Sequence, residues 1–392
     1  MNNNQTDLLI VDFRLEGFNR YATRIVKYLK QMSPDITVCG CYFQDVDPHE
    51  IEGFDYVVRA KDYNYEAQKI LSVFKPKVVL TFAHRFFDYM FVLEAHHANM
   101  KVINFQHAIY MKDTTLSEMN KKTLGTLINS RKEKMVTYTK VLLHMCGNPF
   151  KFISVALKLK QGNDMFKVIN DEFGKACNAD VSVIYGQYWE RYYKEVFHET
   201  QTEFFISGYP DLNDENVPIP YGLFPDPKLP VLCYLAQPYC EDGIITLSEM
   251  DEFLEKLWEV SAYCNLLIKP HPRNNMEYFS KFENNDRIKI WKNKAFPICG
   301  AYIGHDSTIL LRAMYHSKTM IYRITPDRNN DVEHYTKYIC QKTDHLQDKI
   351  KEMFLDENYS GPDDELGAFV SFNRDIHPLE FVAKQIQKML AE

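Results

Sequence analysis

The chain has 392 residues, of which 45% are hydrophobic and 25% charged, and its formal net charge is −7. That length exceeds what one hydrophobic core usually supports and predicts two domains, while the acidic balance argues against nucleic acid as a partner of the whole chain. The nine cysteines contain no Cys-x-x-Cys pair, so neither a zinc site nor a disulfide framework is signalled.

No apolar run reaches the roughly eighteen residues that a membrane span needs, and the polar start MNNNQTD is unlike a signal peptide. The expected location is therefore the cytoplasm.

Asp7 to Val11 is a continuous apolar run of the kind a central parallel strand requires, and it ends in a polar stretch containing Asp12, Glu16 and Asn19. A helix with Tyr21, Ile25, Tyr28 and Leu29 on one face follows, then a strand from Ile36 to Tyr42. The alternation continues through Tyr56–Val58, a helix over about 65–74, Val78–Phe82, a helix over about 86–98, and Lys101–Phe105. Such βαβα alternation predicts a parallel sheet. Its last strand ends at Gln106 and His107.

From Lys112 to Lys167 lysines and arginines outnumber acids around apolar groups such as Val141–Leu143 and Phe150–Leu159. Basic amphipathic helices of this type suit an anionic membrane surface or a polyanionic acceptor. Val181–Tyr185 and Glu203–Ser207 restore the strand pattern, with a helix from Trp189 between them.

Asp211 to Pro230 is crowded with proline, asparagine and aspartate and reads as a linker, centred on 213–230, between domains 1–212 and 231–392. Val231–Ala236 then opens a second sheet and ends at Gln237, with Glu241-Asp242-Gly243 just beyond. After a helix beginning near Ser248, the run Asn265–Ile268 ends at Lys269-Pro270-His271-Pro272-Arg273. Ala301–Ile303 ends likewise at Gly304-His305-Asp306-Ser307-Thr308, and apolar spacing from Ile309 to Met314 places the two hydroxyls at a helix N-terminus. Free N–H groups and the helix dipole favour an anion there, and the prolines around His271 restrict its backbone. The two clusters lie about thirty-five residues apart, close to one βαβ repeat, which is where an open parallel sheet collects a ligand. A strand at Met320–Tyr322 and a helix from Pro378 to Met389 complete the pattern.

Two doubly wound, Rossmann-like α/β halves with polar strand ends resemble the GT-B glycosyltransferase architecture, in which the domains face each other across a cleft. The second half resembles the bacterial CMP-sialic acid transferases: His271-Pro272 matches their His-Pro motif and Ser307-Thr308 their Ser-Ser or Ser-Thr motif. Over about 230–325 this resemblance implies nucleotide-phosphate binding by His271, Pro272, Ser307 and Thr308; Lys269 and Arg273 are expected to join them as cations for the leaving group, and Gln237, His305 and Asp306, at the same strand ends, complete the expected nucleotide site. The acidic-acidic-Gly motif that carries the base in that group corresponds to Glu241-Asp242-Gly243, which stands here in the second half rather than the first. Asn104 to Ala108 also resembles the Gln-His-Gly element of teichoic-acid glycerophosphotransferases, which implies that His107 lies near the acceptor; Gln106 beside it, and Asp12, Glu16 and Asn19 after the first strand, are the further acceptor-side candidates.

The resemblances imply an inverting transferase of bacterial surface polysaccharide synthesis, for capsule or lipooligosaccharide, with no metal and no cofactor beyond a CMP-linked sugar donor. His107 is the first candidate for the general base, and Glu241 or Asp242 the second. The implied partners are a nucleotide sugar and a glycan or glycolipid acceptor, with the inner membrane surface and a homodimer as further contacts. The remaining readings are a glycerophospho- or hexosyltransferase using CDP or UDP donors, a sugar-nucleotide 2-epimerase of the same fold, and a non-catalytic glycan-binding module.

Overall fold

The computed structural model describes residues 5–107, 109, 124–162, 164–282, 284–325 and 331–392. These form two compact units, one comprising residues 5–107, 125–210 and 368–392, the other residues 109, 124 and 211–367. The expected basic segment therefore falls partly outside the described residues, at 112–123.

The first unit is built on a seven-stranded parallel sheet: β1 (Leu8–Asp12), β2 (Val38–Tyr42), β3 (Tyr56–Arg59), β4 (Val78–Thr81), β5 (Lys101–Phe105), β6 (Val181–Ile184) and β7 (Glu203–Ile206), in the order 3-2-1-4-5-6-7. β1 and β4 are buried along their whole length, as their unbroken apolar runs require when helices cover both sheet faces. The helix Ala22–Met32 buries Ala22, Ile25, Val26 and Leu29, the stripe its spacing predicts. Within the basic segment three helices are described, Leu124–Cys146, Pro149–Lys160 and Met165–Phe173.

The second unit contains β8 (Asn216–Pro218), β9 (Val231–Leu235), β10 (Asn265–Lys269), β11 (Ile288–Ile290), β12 (Phe296–Ile298), β13 (Ala301–Gly304), β14 (Lys318–Arg323) and β15 (Ile339–Gln341). Six of these make a parallel sheet in the order 11-10-9-13-14-15, while β8 pairs with β12. The proline-rich stretch expected to be a linker is thus partly ordered: β8 lies inside it and belongs to the second unit.

The C-terminal boundary also differs from the sequence expectation, since residues 368–392 join the first unit. The helix Pro378–Ala391 buries Leu379, Val382, Ala383, Ile386 and Met389 and packs against Ala22–Met32. The segment leading to it is fastened to the end of β6. Trp189 Nε1 donates to the Phe369 carbonyl at 2.6 Å, and Ser371 donates to the Tyr185 carbonyl from both its backbone N–H (3.0 Å) and its Oγ (2.8 Å). Gly186 permits this approach, because a Cβ there would lie 2.3 Å from the Ala368 carbonyl oxygen and 2.9 Å from that of Phe369. Backbone on both sides leaves little room to yield, so Gly186→Ala should destabilise the first unit by about 1–3 kcal/mol. Chemical denaturation, with limited proteolysis of the C-terminal segment, checks this; unchanged stability and protection would contradict it.

Candidate functional site

In the second unit the register aligns Lys269 with Leu235 and Ile303 with Tyr234, so β10, β9 and β13 end side by side on one edge of the sheet. Strand order reverses between β9 and β13, which makes this edge the topological switch point of a doubly wound sheet. The His271 and Ser307 loops leave strands two spacings apart, roughly 10 Å, with the Gln237–Gly243 loop between them.

His271 is held by its neighbours. Its backbone N–H donates to Asn274 Oδ1 at 2.8 Å, and its Nδ1 accepts from the Arg273 N–H at 3.1 Å. Because Nδ1 is occupied as an acceptor, the ring proton resides on Nε2. Burial, aided by the Arg273 charge, holds the imidazole below the usual histidine range, so near neutral pH it is an uncharged Nε2–H donor.

Arg273 forks onto Asp242 with contacts of 2.5 and 2.9 Å, and Glu241 Oε1 accepts from the Asn275 N–H at 2.5 Å. The Arg273 side chain is 59% exposed, so this ion pair contributes about 0–1 kcal/mol to stability and serves mainly to orient the loop. Glu241, Asp242, His271 and Arg273 are therefore brought together, in one unit. Asn274 is the residue that sequence reasoning missed. Besides accepting from His271, it donates to the Gln237 carbonyl at 3.1 Å, tying the loop after β10 to the loop after β9. Its signal was present as an asparagine three residues after the proline-flanked histidine, the spacing of a side-chain-capped turn.

Other expected phosphate ligands are placed differently. Lys269 donates Nζ to the carbonyls of Asn293, Lys294 and Ala295 at 3.3–3.5 Å, bracing the loop before β12. His305 is a core residue, 2% exposed. Tyr234 Oη donates to its Nε2 at 3.1 Å, its Nδ1 donates to the Tyr322 carbonyl at 3.0 Å, and the Tyr239 and Phe253 rings pack on it. The expectation that His305 binds phosphate is thus corrected: a polar residue after a strand can turn inward as well as outward. Asp306 lines a small cavity with Tyr239, Arg323 and Glu333, and Pro272 is exposed. Ser307 and Thr308 do stand immediately before the helix Ile309–His316, with Ser307 Oγ 3.5 Å from the Ile309 N–H. One turn in, buried Arg312 donates to the Asp214 and Glu215 carbonyls and to Asn216 Oδ1, locking the helix to the chain that enters the unit.

In the first unit the strand order reverses between β1 and β4. Asp12 closes β1 and accepts from Arg85 Nη1 at 3.0 Å and from the Phe13 N–H at 2.6 Å. Arg85 also donates to Asp88, from Nε at 2.7 Å, and lies 4.2 Å over the Phe87 ring. Burial pushes the Asp88 carboxyl up while Arg85 opposes the shift. Gly17 leaves space for Asp12, whose Oδ2 would lie 2.5 Å from a Cβ there.

Asp12 and Gln106 are consequently structural rather than acceptor-facing. Gln106 is fully buried, and its Oε1 accepts from the Tyr185 N–H at 2.9 Å. Glu16 and Asn19 are exposed on the turn Leu15–Asn19. His107 stands half-buried at the end of β5, its ring meeting Tyr21 at 5.6 Å and Phe82 at 5.9 Å edge to face. A buried pair that the sequence did not signal lies nearby in the same unit. His84 Nε2 is 2.7 Å from Glu199 Oε1, both side chains are 3% exposed, and Ser182 Oγ donates to Glu199 at 2.9 Å. Among the described residues no group of three or more His, Cys, Asp or Glu is arranged to hold a metal ion.

Known structures share this architecture. The calicheamicin glycosyltransferase CalG4 is 11% identical with a TM-score of 0.56, covering 100% of this chain and 99% of its own. The wall teichoic acid polymerase TagF is 11% identical with a TM-score of 0.52 (100% of this chain, 90% of its own), and the UDP-GlcNAc 2-epimerase of Methanocaldococcus jannaschii is 11% identical with a TM-score of 0.51 (98% and 100%). No curated protein matches the chain in sequence. The two Rossmann-like units are those of the GT-B glycosyltransferases and related epimerases. Residues 62–299, more than half of the chain, match the model of the alpha-2,8-polysialyltransferase family. The chain belongs to that family and is a glycosyltransferase.

His305 generates a test. Burial lowers its pKa to about 4, against about 6.5 for a free histidine. The unfolded chain therefore binds the extra proton first as pH falls, so the stability contributed by neutral His305 is complete above pH 6.5 and drains away toward pH 4, by up to about 3 kcal/mol. Denaturation of the wild type and His305→Phe at pH 7 and 4.5 should show a shallower pH dependence in the variant; parallel curves would contradict the assignment.

Proposed function

We propose that the chain transfers sialic acid, or a related nonulosonate, from a CMP donor to a bacterial cell-surface glycan in the cytoplasm, with inversion and without a metal. The observation that carries this reading is the neutral, Nε2-protonated His271 on the same sheet edge as the Ser307-Thr308 helix start, within a chain of the polysialyltransferase family. The departing CMP carries its charge on a phosphate. A fixed Nε2–H donor and the positive end of a helix dipole stabilise such charge without a cation from solution, and the exposed Arg273 guanidinium, paired with Asp242, stands on the same loop.

His107 is the proposed general base, since an imidazole accepts a proton near neutral pH with little tuning. Glu241 and Asp242 rank second because the Asn275 N–H and the Arg273 guanidinium already engage their carboxylates.

His271→Ala should weaken CMP binding about ten- to a hundredfold, the worth of one charge-assisted hydrogen bond. Calorimetric titration with CMP and CDP measures it, and unchanged affinity would remove His271 from the site. His107→Ala should instead lower turnover by roughly 10²–10⁴-fold while leaving CMP affinity intact, because a base acts on the acceptor hydroxyl only in the transition state. Release of CMP upon addition of glycan acceptor is the assay. Should Glu241→Ala or Asp242→Ala abolish release in a folded enzyme while His107→Ala stays active, the base is the acidic pair.

A further inference from the structure

The helix Pro149–Lys160 is apolar on two sides. Its inner side places Val155, with Phe152 and Leu159, against Leu142, Cys146 and Val168 of the first unit. Its outer side presents Phe150, Ile153 and Leu157, which are 84%, 53% and 52% exposed. Their i, i+3, i+7 spacing lines them up along one stripe. The preceding helix, Leu124–Cys146, adds exposed Val136 and Leu143, seven residues apart. Core packing does not account for large apolar groups aligned outward.

Charge indicates what covers the stripe. Between residues 131 and 167 Lys or Arg stands at 131, 132, 134, 140, 151, 158, 160 and 167, against acids only at 133 and 164, in a chain whose net charge is −7. Lys158 pairs with Glu172, Lys167 with Asp171 at 2.7 Å, and Lys151 donates to the Glu172 carbonyl at 2.9 Å, while Lys140 and Lys160 are exposed. Helical spacing sets Lys158 and Lys160 on opposite flanks of the Phe150–Leu157 stripe. An apolar stripe bordered by lysines suits the headgroup boundary of an anionic bilayer, where the rings and aliphatic groups enter and the ammonium groups reach phosphates. Among the described residues no helix is long and apolar enough to cross a membrane, so contact of this kind lies flat.

We infer that the outer face of Pro149–Lys160 is a membrane-docking surface, which seats the first unit on an anionic lipid bilayer through Phe150, Ile153 and Leu157. Lipid binding of this type is independent of the donor nucleotide, so it can fail while the transferase reading stands, and the reverse.

The test is co-sedimentation of the full chain with vesicles of equal parts phosphatidylcholine and phosphatidylglycerol, and with phosphatidylcholine alone, at low and high salt. The wild type should bind the anionic vesicles and release partly with salt. Phe150→Ser alone should weaken binding, and the triple variant with Ile153→Ser and Leu157→Ser should lose roughly tenfold or more of its partitioning. Thermal melting of each variant confirms folding, and the single variant keeps the test valid if the triple one unfolds. Three results would overturn the inference: no sedimentation of the wild type with anionic vesicles, equal sedimentation of folded variants, or a change of oligomeric state in the variants without a change in lipid binding. The last would assign the face to a second copy of the chain.

Discussion

Every strand pairing in the two large sheets is parallel, and that single constraint organises the chemistry. Parallel strands must be reconnected by crossovers, so each strand delivers its C-terminal loop to the same edge. Polar residues that stand far apart in the sequence, at 237–243, 271–275 and 305–308, therefore meet where β9, β10 and β13 end. The apolar runs fix which residues are strand and hence where each polar loop begins.

Once gathered, the polar groups divide into those that brace and those that remain presented. Asn274, Glu241 and Asp242 hold the His271 loop by bonds to backbone and guanidinium, and Lys269 is spent on three carbonyls. What they hold is a histidine whose proton is confined to one nitrogen. His305 shows the opposite use of the same side chain: both ring nitrogens are satisfied inside the core, and burial keeps it neutral. The first unit repeats the division, with Asp12 committed to Arg85 and Gln106 to the Tyr185 N–H, while His107 closes β5 among aromatic edges.

Much of the fold was legible because buried parallel strands are continuous apolar runs, and Lys101–Phe105 coincides with the expected strand residue for residue. The short strands β11 and β15 were not, since three residues give too little pattern to separate a strand from a loop. The return of residues 368–392 to the first unit was equally hidden. The helix Pro378–Ala391 advertises an apolar face but not which core it covers, and the close approach of Ala368 to Gly186 that leads the chain back is a property of three dimensions. At the candidate site the sequence indicated the right loops without the direction in which each side chain points. His271 and His305 both follow a buried strand, yet one is pinned at the edge by a proline-flanked turn and the other is drawn inward by Tyr234 and Tyr322.

Donor binding at this edge rests on the protonation and position of one imidazole, which heteronuclear NMR of the side-chain nitrogens reads directly. His271 should appear at pH 7 as the neutral Nε2–H tautomer, and addition of CMP should shift its Nε2 resonance while that of His305 stays in place. An imidazolium or an Nδ1–H tautomer at that pH, or a His271 spectrum indifferent to CMP, would contradict it.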